Sequence, residues 1–138
     1  VERLKQRLDI ASQALASLKA LRPLEATPVV RDATIQRFEY PFEAVWKAAQ
    51  RYVRDREGVV SGSPRQGMRA AQAVGLLDPD EAWQALEMTD DRNHTVHTYN
   101  EALAEALFAR IPHYVVLMEP WMAATDQRLD DPAEGPNG

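Results

Sequence analysis

Apolar residues recur along this chain at steps of three and four. Leu4, Leu8, Ala11, Leu15, Leu18 and Leu21 form one such stripe, which puts them on a single face of a first helix of about five turns. Pro23, with Thr27 and Pro28 behind it, ends that helix. Ile35, Phe38, Phe42, Val45, Ala49 and Tyr52 repeat the spacing in a second helix, with Asp32 placed to cap its start and Gly58 to stop it. Pro41 falls inside this stripe, where it should remove one backbone hydrogen bond and bend the helix. Ser61-Gly62-Ser63 reads as a flexible link. Ser63-Pro64-Arg65-Gln66 is a capping box with proline at the first helical position, opening a short helix through Met68, Ala71 and Val74 that closes at Gly75. Asp78-Pro79-Asp80-Glu81 repeats the device ahead of Ala82, Trp83 and Leu86. Thr98 and Glu101 make a third box. Behind it Leu103, Leu107, Ile111, Tyr114, Met118 and Trp121 form a last long stripe, bent near Pro112.

No segment alternates with the period of two that marks a half-buried strand, and no repeat recurs at a fixed interval. The pattern predicts an all-α, up-and-down antiparallel bundle of four to five helices over residues 1–125. Phe38, Phe42, Trp46, Trp83 and Leu107 are its expected core. From Asp126 to Gly138 the acidic, proline- and glycine-bearing sequence predicts a disordered tail.

Composition narrows the chemistry. The chain has 138 residues, no Cys and three His, so disulfides, thiolate metal sites and cysteine nucleophiles are excluded, and neither a metal nor a cofactor is expected. No apolar run reaches the length of a membrane span and the N-terminus is amphipathic, which predicts a soluble cytoplasmic domain with no membrane partner. A net charge of −5 argues against a general nucleic-acid coat, but the charge is uneven. Residues 1–60 hold 11 Lys and Arg against 8 Asp and Glu, a net of +3, while residues 61–138 hold 5 against 13, a net of −8. A locally basic face could therefore meet a polyanion. A phosphate loop and a His-Glu-x-x-His motif are both missing.

The densest group of reactive side chains is Asp90-Asp91-Arg92-Asn93-His94-Thr95-Val96-His97-Thr98-Tyr99, at the junction of two predicted helices. Arg92 offers a permanently charged fork suited to phosphate oxygens, and His97 can exchange a proton near neutral pH. Asn93 can orient either one. A cation beside a titratable imidazole is what metal-free RNA cleavage requires: a base for the 2′-hydroxyl and a charge on the pentacoordinate phosphorus. On a continuous helix Arg92 and His97 would stand about 140° apart, so either the helix breaks between them or facing subunits each supply half the site. The plainer reading is a salt-bridged helix end with a hydrogen-bonded His, and acidic residues such as Asp90 and Asp91 are usually just solvated.

The octet Arg92-Asn93-His94-Thr95-Val96-His97-Thr98-Tyr99 resembles the R-x4-H-x-Y signature of HEPN domains, in particular the HepT-like nucleotidyltransferase substrate-binding proteins. The likeness extends to Arg31-Asp32-Ala33, Ile35-Gln36-Arg37-Phe38-Glu39-Tyr40, Phe42-Glu43 and Trp46-Lys47, then Ser63-Pro64-Arg65, Gly75-Leu76-Leu77-Asp78, Glu81-Ala82-Trp83 and Ile111-Pro112, over about residues 1–122. Pro41 is a departure. The resemblance implies a homodimeric helical bundle whose two Arg/His motifs share a cleft, and a small nucleotidyltransferase as partner. Related members are metal-independent ribonuclease toxins acting on RNA, neutralised when that partner attaches AMP to the motif tyrosine, here Tyr99. Others are non-catalytic nucleotide- or substrate-binding subunits of the partner. Carried over, His97 becomes the acid/base group, Arg92 the phosphate-stabilising cation, Asn93 a positioning residue and Tyr99 the modification site.

Overall fold

The structure is a computed structural model that describes residues 2–130. Within them every regular element is helical: α1 (Glu2–Lys19), α2 (Pro28–Glu57), α3 (Pro64–Ala73), α4 (Pro79–Asn93), a short 3-10 turn (Thr95–His97) and α5 (Glu101–Asp130). The five α-helices form the expected all-α bundle. α2 is its hub, packing against α1 and α5 along its length and against α3 towards its end, while α3 leans on α4 and α4 on α5.

The leucine stripe of α1 meets Ile35, Phe38, Phe42, Val45, Ala49 and Tyr52 of α2, and Leu107, Ile111, Met118 and Trp121 of α5 complete the same buried cluster. Burial of this face, rather than helix propensity, holds such helices in place. Phe38 stacks on Tyr114 at 5.7 Å between ring centroids, which joins α2 to α5 at the centre. Phe38, Phe42, Trp46 and Leu107 are buried as expected.

Trp83 is not; it is 63% exposed. The buried stripe of α4 runs through Ala82, Ala85, Met88 and Thr89, and Trp83 lies one residue, about 100°, away from it. The start of α2 also differs. Thr27, not Asp32, is the cap, its hydroxyl accepting from the Val30 amide at 3.2 Å, so the helix begins five residues earlier than a cap at Asp32 would set it. Pro28 occupies the first turn, where no amide is needed.

α2 passes through Pro41 without interruption, as α5 passes through Pro112 and Pro120. Pro41 and Pro120 remove the amides that would bond to the Arg37 and Val116 carbonyls. Gly58 ends α2 in the left-handed region at φ 71°, and its amide bonds back to the Arg54 carbonyl.

Residues 126–130, expected to belong to a tail, are part of α5. α5 continues through Asp130 because Leu129 inserts into the core and the Arg128 guanidinium donates to the Val74 carbonyl at 2.9 Å. Residues 131–138 of that expected tail lie outside the described residues.

Candidate functional site

The break between α4 and α5 carries the Arg/His motif, and three local devices produce it. α4 ends at Asn93, with the His94 amide turning back to the Asp91 carbonyl at 3.0 Å. The 3-10 turn Thr95–His97 follows, closed by the His97 amide on the His94 carbonyl. α5 is then capped by Asn100, whose side-chain oxygen accepts from the Leu103 amide at 3.1 Å. Asn100 thus replaces the expected Thr98 as cap, and Tyr99 sits ahead of the helix instead of at its first position. Of the two arrangements that the angular spacing allows, a break between Arg92 and His97 is the one present within the chain.

This break is clamped from behind. Asp91, 6% exposed, accepts two bonds from Arg110 of α5, at 2.6 and 2.8 Å, and a third from the Tyr114 hydroxyl. A carboxylate gripped by a bidentate guanidinium and a phenol fixes the last turn of α4 to α5. Donation to Asp91 holds the Arg110 guanidinium further into its charged form. Burial, and then the bond to Asp91, push the Tyr114 phenol above its ordinary range. From the α2 side, the Thr95 hydroxyl lies against the Glu39 carboxylate and the Arg92 carbonyl. Arg31, buried at 6% exposure, donates to Glu105 at 2.8 Å and to Asp32 at 3.0 Å, pinning the first turns of α5 to α2.

Asp91 is therefore a structural anchor rather than a solvated acid, whereas Asp90 is exposed and pairs with Arg65 at 2.6 Å. The anchor escaped the sequence reading. Arg110 and Tyr114 share a face of α5 at a four-residue spacing, but nothing in the sequence says that Asp91 meets them until α4 and α5 are laid side by side.

On the outward side the motif is loosely held. Tyr99 is 81% exposed, and its hydroxyl lies 3.0 Å from His97 Nδ1, with the two rings edge to face. Arg92 is partly exposed; one terminal nitrogen stands 3.7 Å from Glu43, and its buried Nε has no hydrogen-bond partner. Asn93 is exposed and bonds neither Arg92 nor His97. His94 lies 6.4 Å from His97, ring to ring. Val96 is exposed beside them. The break thus offers a guanidinium with unused donors, and an imidazole already paired with an accessible hydroxyl. Such a set can grip phosphate oxygens and can move a proton from the hydroxyl to the ring. Among the described residues no group of three or more His, Cys, Asp or Glu is arranged to hold a metal ion, and no helix is long and apolar enough to cross a membrane.

Comparison with known proteins adds an independent line. The family model described as nucleotidyltransferase substrate binding protein like matches residues 6–127. A crystal structure of a protein from Thermus thermophilus is 53% identical, covers 88% of this chain and 99% of its own, and superposes with a TM-score of 0.77. HI0074 from Haemophilus influenzae, whose structure reveals the fold of a substrate-binding domain of a nucleotidyltransferase, is 20% identical. It covers 87% of this chain and 99% of its own, with a TM-score of 0.73; at that identity it speaks for the fold alone. No curated protein matches the chain.

Proposed function

The chain belongs to the nucleotidyltransferase substrate-binding protein-like family, and from that premise we propose that it is the substrate-binding subunit of a nucleotidyltransferase, holding a phosphate-bearing substrate at the α4–α5 break. The observation that carries this reading is the loose tenure of Arg92. Its Nε has no partner and its ion pair with Glu43 is long at 3.7 Å, so its fork can turn to an incoming phosphate at little loss. His97 lies on the same break and supplies a second donor when protonated.

The His97–Tyr99 pair adds an acceptor. If the partner transfers AMP here, the Tyr99 oxygen attacks the α-phosphorus of a nucleoside triphosphate. A phosphodiester bond forms, pyrophosphate leaves, and the phenolic proton passes to His97 Nδ1. The attached nucleotide would add bulk and negative charge beside Arg92. In a homodimer, exposed Val96 and Tyr99 would lie where two copies of the motif face each other.

A second reading, metal-independent RNA cleavage, is favoured by one feature: a cation and an imidazole stand on one solvent-facing break. There His97 would act as acid/base, Arg92 would stabilise phosphate charge and Asn93 would position one of them.

Incubation with total RNA in EDTA, run beside a nucleotide-transfer assay with the cognate nucleotidyltransferase, separates the two. The binding-subunit reading expects intact RNA and a transfer rate that rises when the chain is added. New 2′,3′-cyclic phosphate ends, lost in both Arg92→Ala and His97→Ala, would replace it with the ribonuclease.

A further inference from the structure

Away from the break, α1 and α2 lie side by side with a furrow between them that gathers cations in an otherwise acidic chain. Its wider part encloses about 440 Å³, with Arg3, Gln6 and Arg7 on the α1 rim and Tyr40, Glu43 and Lys47 on the α2 rim. Ile10 and Ala44 give it an apolar floor. A second depression of about 130 Å³ shares Arg7 and Lys47 with the first and extends it to Arg51 and Arg54. The cations are Arg3, Arg7, Lys47, Arg51 and Arg54. Their only carboxylate partners among the described residues are Glu43, 3.4 Å from Lys47, and Asp55, which bonds Arg51 and Arg54. Arg3 and Arg7, one turn apart on α1, have no ion-pair partner among the described residues.

The other component is aromatic. Tyr40 is 60% exposed and lines the furrow two helical turns, about 10 Å, before Lys47. A free aromatic face at one end, an apolar floor, and a converging set of cations at the other end match a base, a ribose and a chain of phosphates in that order. The volume also falls in the range of small-molecule sites.

We propose that this furrow binds a nucleoside 5′-triphosphate, with the base stacked on Tyr40 and the phosphate chain held by Arg7 and Lys47 and continued towards Arg51. One aromatic platform serves one base, whereas a single-stranded polynucleotide needs a succession of them. Glu43 and Asp55 bracket the cations and the chain as a whole carries a net charge of −5, so a long polyanion would gain attraction only locally. The site is separate from the α4–α5 break, although Glu43 touches both, and it does not rest on the reading given for that break.

Isothermal titration of the full chain with ATP and with AMP tests the proposal. ATP is expected to bind saturably and about tenfold more tightly than AMP, because the outer phosphates meet the cations. Arg7→Ala and Lys47→Ala should each weaken ATP by about tenfold; Tyr40→Phe should retain it, and Tyr40→Ala should not. All of these side chains sit on the surface, and circular dichroism of each variant should match the wild type. Arg69→Ala, which removes an exposed cation of α3 outside the furrow, should bind ATP within about twofold of wild type. Equal affinity for ATP and AMP, unchanged binding in Arg7→Ala and Lys47→Ala, loss of binding in Arg69→Ala, or no saturation at millimolar ATP would each overturn the assignment. So would an oligoribonucleotide that displaces ATP and loses its own binding in the Arg7 and Lys47 variants.

Discussion

Replacing Asp91 by alanine removes the anchor behind the Arg/His break, and its effect can be worked from the contacts. The carboxylate accepts two bonds from Arg110 and one from Tyr114. Stranding one partner of a fully buried ion pair costs about 3–5 kcal/mol, but the Arg110 side chain is 38% exposed and can turn to water. The Tyr114 hydroxyl has less freedom. Its residue is 2% exposed and would keep only Glu87, at 3.5 Å, so an unsatisfied group worth about 1–3 kcal/mol remains. Together with the lost charge-assisted bonds, Asp91→Ala should destabilise the fold by about 3 kcal/mol, near 10 °C in Tm for a domain of this size. Urea unfolding followed by circular dichroism measures it. In a double-mutant cycle, Asp91→Ala with Tyr114→Phe should lose about 1–2 kcal/mol less than the two single variants summed, since no hydroxyl is then stranded. Hydrogen exchange should speed up over residues 90–97, where the clamp acts. A loss under about 1 kcal/mol for Asp91→Ala, or strict additivity in the cycle, would refute the anchor.

Other outcomes follow from the same contacts. The folded Tyr114 phenol is held above its ordinary value of about 10, so the unfolded chain loses that proton first and the tyrosine's contribution, present below that value, fades as pH rises through it. The stability difference between wild type and Tyr114→Phe should therefore narrow above pH ~10; a constant difference up to pH ~11 would count against it. At Gly58 an added Cβ would meet nothing within 4 Å, so Gly58→Ala should lose only the left-handed backbone penalty of about 1 kcal/mol, read by denaturant midpoint; a loss above about 3 kcal/mol would show a packing role. After incubation with the cognate nucleotidyltransferase and ATP, intact mass should show one added AMP on wild type and none on Tyr99→Phe. Equal labelling of both would place the acceptor elsewhere.

The bundle was legible because burial leaves a periodic trace. Leu4 to Leu21, Ile35 to Tyr52 and Leu103 to Trp121 are stripes wide enough for one face of each helix to be read without a partner in view. Where the stripe is narrow, as on α4 with its alanines, side-chain bulk does not mark the buried side, and Trp83 faces solvent. Caps were legible where one candidate stood alone: Ser63 accepts from the Gln66 amide at the head of α3, and Gly58 ends α2. Asp78 and Glu81 bond reciprocally as expected, but Asp32 competed with Thr27 for α2, and Asp32 instead pairs with Arg31. Of the candidate site, the exposed motif and the break within it could be inferred from angular spacing. Its supports could not. Glu39, Asp91, Arg110 and the buried Arg31 act across helices, and a contact between α2 and α5 or α4 and α5 leaves no local pattern.

The central claim is that Arg92 and His97 hold the phosphate of a substrate used by a nucleotidyltransferase. The direct measurement is pyrophosphate release by the cognate enzyme, with its substrate varied, in the presence of wild-type chain or of the Arg92→Ala and His97→Ala variants. The account predicts that both variants, folded by circular dichroism, raise the KM for substrate by about tenfold. An unchanged KM with both variants would contradict it.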